Sequence, residues 1–344
     1  SERILGQNHI LRHFENAIRM GKISHAYIIN GEEGSGKMNL AIHFAKALQC
    51  ERNNSNKAIN EDGERITVPG TACGQCKSCK QTDSKNQPDI KYITYEKSGI
   101  GVDEIREQIN DDIDIKPYSS PYKIYIVPES EKMTVQAQNA LLKTIEEPPE
   151  YAIIILLTTN ADTFLQTILS RCVMLNIRPV KEDIIKNQLT SQYGVGDYEA
   201  RVAATFSNGN PGKAIKLATS EEFKELKQYV VGMFMSLEKG GMDIIGEAIK
   251  KTGTFKKQID EYFSLMRIWF RDILVYKATK EEDQIIFQDE YMTIEKMSQT
   301  YSFDDINDIL KAIDLAESRI KSNVNFDSTI EILLLSIKEK TSGK

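Results

Sequence analysis

The first half of the chain alternates between short apolar runs and longer segments in which apolar residues recur every three or four positions. Five runs are rich in Ile, Val, Leu and Tyr and are bounded by Gly, Pro or polar residues, which is typical of strands; they span residues 26–30, 90–94, 123–127, 152–157 and 173–177. The run 153–157 is apolar at every position, as in strands covered on both faces. With helical patterns between the runs, the sequence predicts a five-stranded parallel α/β sheet.

The second half has a different pattern, because no strand-like run follows Pro179. Three amphipathic stripes predict long helices, and the ordinary interpretation is that they form the core of a helix bundle. The outer faces of the same helices could contact a partner. The stripes consist of Ile259, Tyr262, Phe263, Met266, Trp269, Phe270 and Ile273, of Ile306, Ile309, Leu310, Ile313, Ala316 and Ile320, and of Ile330, Leu333, Leu334 and Ile337.

Composition narrows the classes of function. The 344 residues carry 44 Lys and Arg against 50 Asp and Glu, a net charge of −6. This balance argues against a protein that coats DNA by charge alone, although one local face could still contact DNA. No apolar run approaches the roughly 18 residues of a membrane span, and the first residues lack the pattern of a signal peptide. We therefore expect a cytoplasmic protein with reduced thiols.

A glycine-rich segment follows the first predicted strand and opens a helix, which is the context required of a phosphate-binding loop. Gly31, Gly34 and Gly36, with Ser35 between the last two, allow backbone N–H groups to turn inward around phosphates. Lys37 and the helix N-terminus add positive charge. The residues predict nucleotide-binding ancestry, with ATP or ADP as the candidate ligand. A loop that binds no nucleotide is at least as good an interpretation.

The positions that should hold Mg²⁺ carry unsuitable residues. The motif calls for a hydroxyl after the lysine, whereas this chain has Met38, whose thioether is a poor ligand for a hard cation. A later strand should end in an acidic residue, and there the chain has Pro128 followed by Glu129. Because phosphoryl transfer on such loops depends on positioning and on charge neutralisation by the metal, we predict no hydrolysis by this chain. A rewired, active ATPase is the alternative.

Four of the five cysteines form a metal-binding pattern. Cys50, Cys73, Cys76 and Cys79 include two overlapping C-x-x-C units, the complement of a closed tetrahedral Zn²⁺ site. An iron–sulfur cluster or a redox pair is the alternative. With four ligands no position is open for water, so the predicted site is structural, and it could organise the polar segment 51–72. Cys172 stands apart, and packing is its ordinary interpretation.

One arginine is a candidate for chemistry outside its own chain. Arg171 lies in Ser170-Arg171-Cys172, just before the last predicted strand. An arginine at the edge of a sheet is usually a surface charge. The sharper interpretation is an arginine that reaches the nucleotide of a neighbouring subunit. These residues alone do not decide between the two.

Together these features resemble the clamp-loader branch of the AAA+ ATPases over about residues 1–215. The resemblance rests on the phosphate loop, the four cysteines and Ser170-Arg171-Cys172, and on further stretches that match the family's pattern: Gly6-Gln7, 23–27, Val102-Asp103 with Ile105-Arg106, 139–149 and Thr159-Asn160. The helical remainder fits the family's collar domain in type and length.

The resemblance implies an AAA+ P-loop domain over 1–178 with an inserted zinc module over 50–79. A small helical lid over 179–219 and an all-α collar, or oligomerisation, domain over 220–344 would follow. It also implies a ring of related subunits that opens a sliding clamp and places it on primed DNA. The implied partners are motor subunits of the gamma/tau type and a delta-type subunit, with clamp and DNA reached through the complex; no membrane is expected.

Within that family, a non-hydrolysing, stator-like subunit presents its Ser-Arg-Cys arginine to the adjacent motor subunit, and the resemblance implies this role for Arg171. Motor subunits carry a threonine, an aspartate and a sensor arginine where this chain has Met38, Pro128 and Gly212. These departures favour the non-hydrolysing type. The alternatives are a motor-type clamp-loader ATPase and, more weakly, an AAA+ protein of recombination or DNA-end processing.

Overall fold

The strands predicted from the sequence form one parallel sheet in a computed structural model that describes residues 4–54, 69–96 and 99–342. The strands are β1 Ala26–Asn30, β2 Ile90–Tyr92, β3 Lys123–Val127, β4 Ala152–Thr158 and β5 Val173–Asn176. Their spatial order is β2-β3-β4-β1-β5, and every adjacent pair is parallel. The predicted five-stranded α/β domain is confirmed, with strand ends that differ by two residues or fewer.

The sheet is covered on both faces, which explains the unbroken apolar run in β4. Successive side chains of a strand point to opposite faces. Ile153 and Ile155 therefore enter one hydrophobic core, the first core, and Ile154 and Leu156 enter the other, the second core. Helices of this region cover both faces of the sheet. The helices are α1 Asn8–Met20, α2 Lys37–Leu48, α3 Glu51–Asn54, α4 Lys77–Asp83, α5 Val102–Ile105 with the π-helical turn Arg106–Asn110, α6 Val135–Glu146 and α7 Gln166–Leu169.

The sixth of these helices has sequence-encoded ends. Thr134 is its N-cap, and the Thr134 hydroxyl accepts a hydrogen bond from the backbone N–H of Ala137. The helix ends at Glu146, just before Pro148, which cannot continue a helix. Ala137, Leu141 and Ile145 are buried in the second core. The last turn of α6 is therefore held in a fixed position by the packing of Leu141 and Ile145.

The second half is helical throughout its described part, as predicted: no strand is assigned between residues 179 and 342. Its helices are α8 Glu182–Tyr193, α9 Asp197–Phe206, α10 Pro211–Thr219, α11 Glu221–Lys239, α12 Asp243–Thr254, α13 Ile259–Thr279, α14 Tyr291–Thr300, α15 Phe303–Lys321 and α16 Phe326–Ser342. In the described part of the chain, none of the helices combines the length and the apolar character needed to span a membrane.

The described residues divide into two compact units, Ser1–Ile184 with Gly209–Lys213 and Ile185–Asn208 with Ala214–Lys344. The short segment Gly209–Lys213, which includes the first turn of α10, thus belongs to the unit that contains the sheet. The domain boundaries predicted at 178 and 219 stay predictions.

The core of the helical unit contains the predicted stripes. Trp269 is fully buried, with its ring centroid 5.7 Å from that of Phe234 and 5.6 Å from that of Phe287. Most members of the two stripes in α15 and α16 are also buried. Since Trp269 is the only tryptophan of the chain, its fluorescence reports on this unit alone.

A buried carboxylate in the same core gives a stability prediction. Asp272 is inaccessible to solvent, and one of its oxygens accepts 2.8 Å hydrogen bonds from the backbone N–H groups of Ile286 and Phe287. An asparagine oxygen can accept both bonds without a buried charge. We expect Asp272→Asn to unfold within about 1 kcal/mol of the wild type, and Asp272→Ala to lose about 2–3 kcal/mol because two buried donors lose their acceptor. Urea unfolding followed by Trp269 fluorescence measures both.

The pH dependence of that stability has a definite sign. Burial raises the pKa of Asp272 to about 6 against an ordinary value of 3.8, and the two backbone N–H groups and Arg271 offset this only in part. The folded state therefore binds the proton more tightly than the unfolded state. We expect the stability of the wild type relative to Asp272→Asn to rise as the pH falls from about 6 towards 4, because the other carboxyl groups contribute equally to both proteins. Parallel curves for the two proteins would contradict the assignment.

Candidate functional site

The glycine-rich segment forms a loop between β1 and α2, as predicted. β1 ends at Asn30 and α2 begins at Lys37. Gly34 and Gly36 have positive φ angles of 77° and 94°, a backbone conformation that favours glycine. The backbone N–H of Gly31 donates to the Thr158 carbonyl at the end of β4, which fixes the start of the loop. The loop therefore lies at the carboxyl edge of the sheet, where parallel α/β proteins bind ligands.

The polar groups of the loop contact the loop itself. The Lys37 ammonium donates to the carbonyl oxygens of Gly31 at 2.6 Å and Glu32 at 2.8 Å. The Ser35 hydroxyl also donates to the Glu32 carbonyl, at 2.6 Å. Burial lowers the pKa of Lys37, although Glu131 and other carboxylates nearby oppose the shift. The lysine that should neutralise phosphate is thus occupied by backbone acceptors.

The segment Gly209–Lys213, which we call the latch segment, packs directly on this loop. The backbone N–H of Gly212 donates to the Gly34 carbonyl at 3.1 Å, and the Asn210 amide donates to the Glu33 carbonyl at 2.7 Å. A Cβ atom at Gly212 would lie 2.4 Å from the Gly34 oxygen, so this approach requires glycine. The sequence motif includes Gly212 but contains no signal for Asn210. The role of Asn210 depends on its contact with Glu33, which is 177 residues away in sequence.

The metal side of the loop is unsuited to Mg²⁺. Met38 is half-buried and packs against the first core, away from any role as a ligand. Glu129 has a left-handed φ of 47°, and its carboxylate accepts hydrogen bonds from the Tyr95 hydroxyl and from the Lys132 ammonium. The bonds from Lys132 and Tyr95 lower the pKa of Glu129. The carboxylate that remains next to Pro128 is therefore held by two neighbours that sequence reasoning missed.

Arg171 lies at the opposite edge of the sheet. It follows α7 and precedes β5, where Val173 pairs with Tyr27 near the start of β1. Gly31 follows the other end of β1, four residues after Tyr27, so at about 3.3 Å per residue the two sites are about 13 Å or more apart along the strands. Arg171 is consequently placed away from its own phosphate loop.

The Arg171 guanidinium is half-exposed and has three acceptors. One terminal nitrogen donates to the Thr167 carbonyl at 3.1 Å and to the Ser170 hydroxyl at 3.2 Å. The other lies 3.0 Å from a carboxylate oxygen of Glu146, the last residue of α6. The neighbouring Cys172 packs against the second core, and burial raises the pKa of its thiol to about 12. Packing is therefore the role of Cys172 in the structure.

The four predicted cysteine ligands converge. The sulfur atoms of Cys50, Cys73, Cys76 and Cys79 all lie within 4.8 Å of one another, and the sulfurs of Cys73 and Cys79 are 4.0 Å apart. Four thiolates around a zinc ion at about 2.3 Å would stand about 3.8 Å apart. The cluster therefore fits a tetrahedral metal ion with a modest contraction.

Local structure brings these thiols together. Cys50 lies just after α2, and the Cys76 sulfur caps α4 by accepting a bond from the Cys79 N–H. The backbone N–H groups of Gln75 and Cys76 donate to the Cys73 sulfur and lower the pKa of that thiol to about 6. Burial raises the pKa of Cys79, a penalty that a bound cation would offset. Most of the polar segment 51–72, namely residues 55–68, lies outside the described residues.

Comparisons with known proteins point to one protein class. A family model described as "DNA polymerase III, delta subunit" matches residues 6–181, and one described as "DNA polymerase III, delta subunit, C terminal" matches residues 246–339. DNA polymerase III subunit delta' of Bacillus subtilis is 26% identical over 337 residues, which cover 97% of this chain and 96% of that protein.

Other relatives match part of the chain or have low sequence identity. DNA polymerase III subunit tau of B. subtilis is 34% identical over 221 residues, 63% of this chain but 36% of that protein. The chain thus spans about a third of the length of this relative. The chain is also similar to the crystal structure of a DNA polymerase III gamma subunit-related protein from Thermotoga maritima, at 21% identity and with a TM-score of 0.40. The match covers 96% of this chain and 99% of the Thermotoga chain.

Proposed function

The chain belongs to the DNA polymerase III delta subunit family, and we propose that it serves as the delta-prime subunit of the clamp loader in DNA replication. The similarity to a delta' subunit along almost the whole length of both chains supports this choice. In this role the subunit helps to open the sliding clamp and to load it on primed DNA. It acts as a stator-like member of the assembly that does not itself hydrolyse ATP.

The state of the phosphate loop supports a non-hydrolysing role. The side chains of Met38 and Pro128 offer no oxygen ligand for Mg²⁺, and the Glu129 carboxylate is bound by Tyr95 and Lys132. The groups of the loop that would bind phosphate, Gly31, Gly34, Ser35, Gly36 and Lys37, are a degenerate cofactor site for ATP or ADP. The latch segment contacts that loop through Gly212 and Asn210.

The position of Arg171 is the observation that carries the proposal. An arginine that served its own nucleotide would lie near the carboxyl edge of the sheet, beside the loop that starts at Gly31. Arg171 lies instead at the amino edge, half-exposed, with a guanidinium available to a neighbouring chain. We assign it as an arginine finger that acts in trans, stabilising charge on the ATP of the adjacent motor subunit.

The cysteine cluster is the proposed zinc site of this subunit. Cys50, Cys73, Cys76 and Cys79 would hold Zn²⁺ as four thiolates, which leaves no position for water and makes the role structural. Zinc supplies binding free energy that stabilises the fold of its ligands.

The partners follow from the proposed role. They are motor subunits of the gamma/tau type and a delta-type subunit, and the sliding clamp and primed DNA are contacted through the complex. The relatives of this chain include tau, gamma and delta' subunits, which supports the assignment. We place the protein in the cytoplasm.

ATP turnover by the isolated chain tests the non-hydrolysing role. We expect the purified wild-type protein with Mg²⁺ and ATP to turn over no faster than the Lys37→Ala variant, because no side chain holds the metal. Phosphate release is measured for both proteins under identical conditions. Mg²⁺-dependent turnover that disappears in Lys37→Ala would contradict the proposal and support a motor-type ATPase, the alternative that the retained lysine favours.

A further inference from the structure

The ion pair between Arg171 and Glu146 joins two parts of the first unit that are 25 residues apart in sequence. Their nitrogen and oxygen atoms are 3.0 Å apart, and the two side chains are 41% and 42% exposed. A surface pair with this exposure adds little to folding stability. Its consequence for the molecule is therefore geometric, because it selects one orientation of a long, flexible side chain.

The contacts of Arg171 divide its five N–H donors unequally. One terminal nitrogen donates to Thr167 and Ser170, and the other lies 3.0 Å from a carboxylate oxygen of Glu146. Among the described residues no hydrogen bond involves the Arg171 Nε–H, so this donor remains for a ligand. The guanidinium is thus held through its terminal nitrogens, and a guanidinium N–H donor is suited to a phosphate oxygen.

The backbone of Glu146 is held in place. Glu146 is the last residue of α6, it follows the buried Ile145, and the Glu147 N–H donates the last helical hydrogen bond to the Lys143 carbonyl. A carboxylate on a rigid helix end can orient a partner more reproducibly than one on a loop. Glu147 is also exposed, and it forms no ion pair with any residue in the described ranges.

We propose that Glu146 is a positioning residue that orients the Arg171 guanidinium towards the ATP of the adjacent motor subunit. This inference rests on the proposed trans-acting role of Arg171. Glu146 does not touch the nucleotide; it reduces the number of orientations that Arg171 samples before the subunits engage. Its loss lowers the rate of the step that Arg171 assists, without removing the step.

The test uses clamp loader reconstituted from the full chain and its cognate subunits, with sliding clamp and primed DNA. ATP hydrolysed in the first round is followed rapidly after mixing, which gives an amplitude in ATP per complex and a rate constant. The variants are Glu146→Ala, Glu146→Gln and Arg171→Ala, with the double variant of Glu146→Ala and Arg171→Ala. Glu147→Ala is the matched control, because it removes an adjacent glutamate that forms no ion pair with the other described residues.

We expect Glu146→Ala to leave the amplitude unchanged and to slow the phase that depends on Arg171 by about three- to tenfold. Glu146→Gln, which keeps a hydrogen-bond acceptor without the charge, falls between Glu146→Ala and the wild type. Glu147→Ala behaves as the wild type, and the double variant as Arg171→Ala alone. Unchanged rates of the remaining phases in the double variant, compared with Arg171→Ala alone, distinguish positioning from a general disturbance of the fold.

Several results would overturn the inference. If Arg171→Ala removes the phase but Glu146→Ala has no effect, or increases the rate, Glu146 does not position the finger while the proposed function stands. If Glu146→Ala and Glu147→Ala slow the phase equally, the effect comes from the loss of one negative charge near Arg171 and not from the ion pair of Glu146. If Arg171→Ala itself changes nothing, the proposed function fails and the inference fails with it.

Discussion

Replacing Arg171 with alanine is expected to remove one ATP per complex from the first round of hydrolysis by the assembled clamp loader. A trans-acting arginine increases the rate of hydrolysis at its site by about 10³- to 10⁵-fold. Without it, that site hydrolyses no measurable ATP during the time in which the other sites turn over. In the proposed role one neighbouring motor subunit receives this arginine, so the other ATP sites of the assembly are expected to keep their rates. The expected signature is a lower amplitude with unchanged rate constants for the rest.

The control for this experiment is Arg178→Ala. Arg178 is an exposed arginine that follows the other end of β5, so the variant removes the same charge from the opposite edge of the sheet. We expect it to match the wild type in both amplitude and rate. A complex with Arg171→Ala that hydrolyses as many ATP molecules in the first round as the wild type would refute the finger assignment.

Replacing Cys76 with serine is expected to abolish zinc binding and to destabilise the first unit by several kcal/mol. Serine is a good N-cap residue, so the hydrogen bond from the Cys79 N–H that begins α4 is kept. What is lost is one thiolate of four, and a structural zinc site contributes on the order of 10 kcal/mol when complete. The variant therefore separates the contribution of the metal from that of the helix cap.

Zinc content and thermal unfolding measure this effect together. The wild-type protein should hold about one zinc per chain, and Cys76→Ser close to none, with a lower melting temperature. Cys172→Ser, which changes the one cysteine outside the cluster, should retain the metal. A wild-type chain that is folded, metal-free and equally heat-stable would show that the four thiols do not form a metal site.

Local sequence patterns were enough to predict the sheet and the cluster. Apolar runs of strand length, such as the one around Ile155, are decided by residues close in sequence, and the strands observed match them. The C-x-x-C units place Cys73, Cys76 and Cys79 together for the same reason. Cys50 could be added because it follows the end of a predicted helix, and the structure brings it to the other three.

The contacts that decide the condition of the phosphate loop were not predictable in this way. Asn210 reaches the Glu33 carbonyl, and Tyr95 reaches Glu129, only because the sheet and its connections bring distant segments together. The pairing of Arg171 with Glu146 has the same origin. Each depends on the relative placement of two side chains in three dimensions, and a hydrophobic pattern along the chain contains no information about it.

The helix α2 connects the phosphate loop to the cysteine cluster within twelve residues. It begins at Lys37 and ends at Leu48, two residues before Cys50, and Lys46 near its end is bound to Asp83 of α4 at 2.6 Å. If the cluster holds a metal ion as proposed, a preparation without that ion lacks one of the contacts that fix the far end of this helix. Metal stoichiometry should therefore be a criterion for accepting each batch before any nucleotide affinity is measured on it.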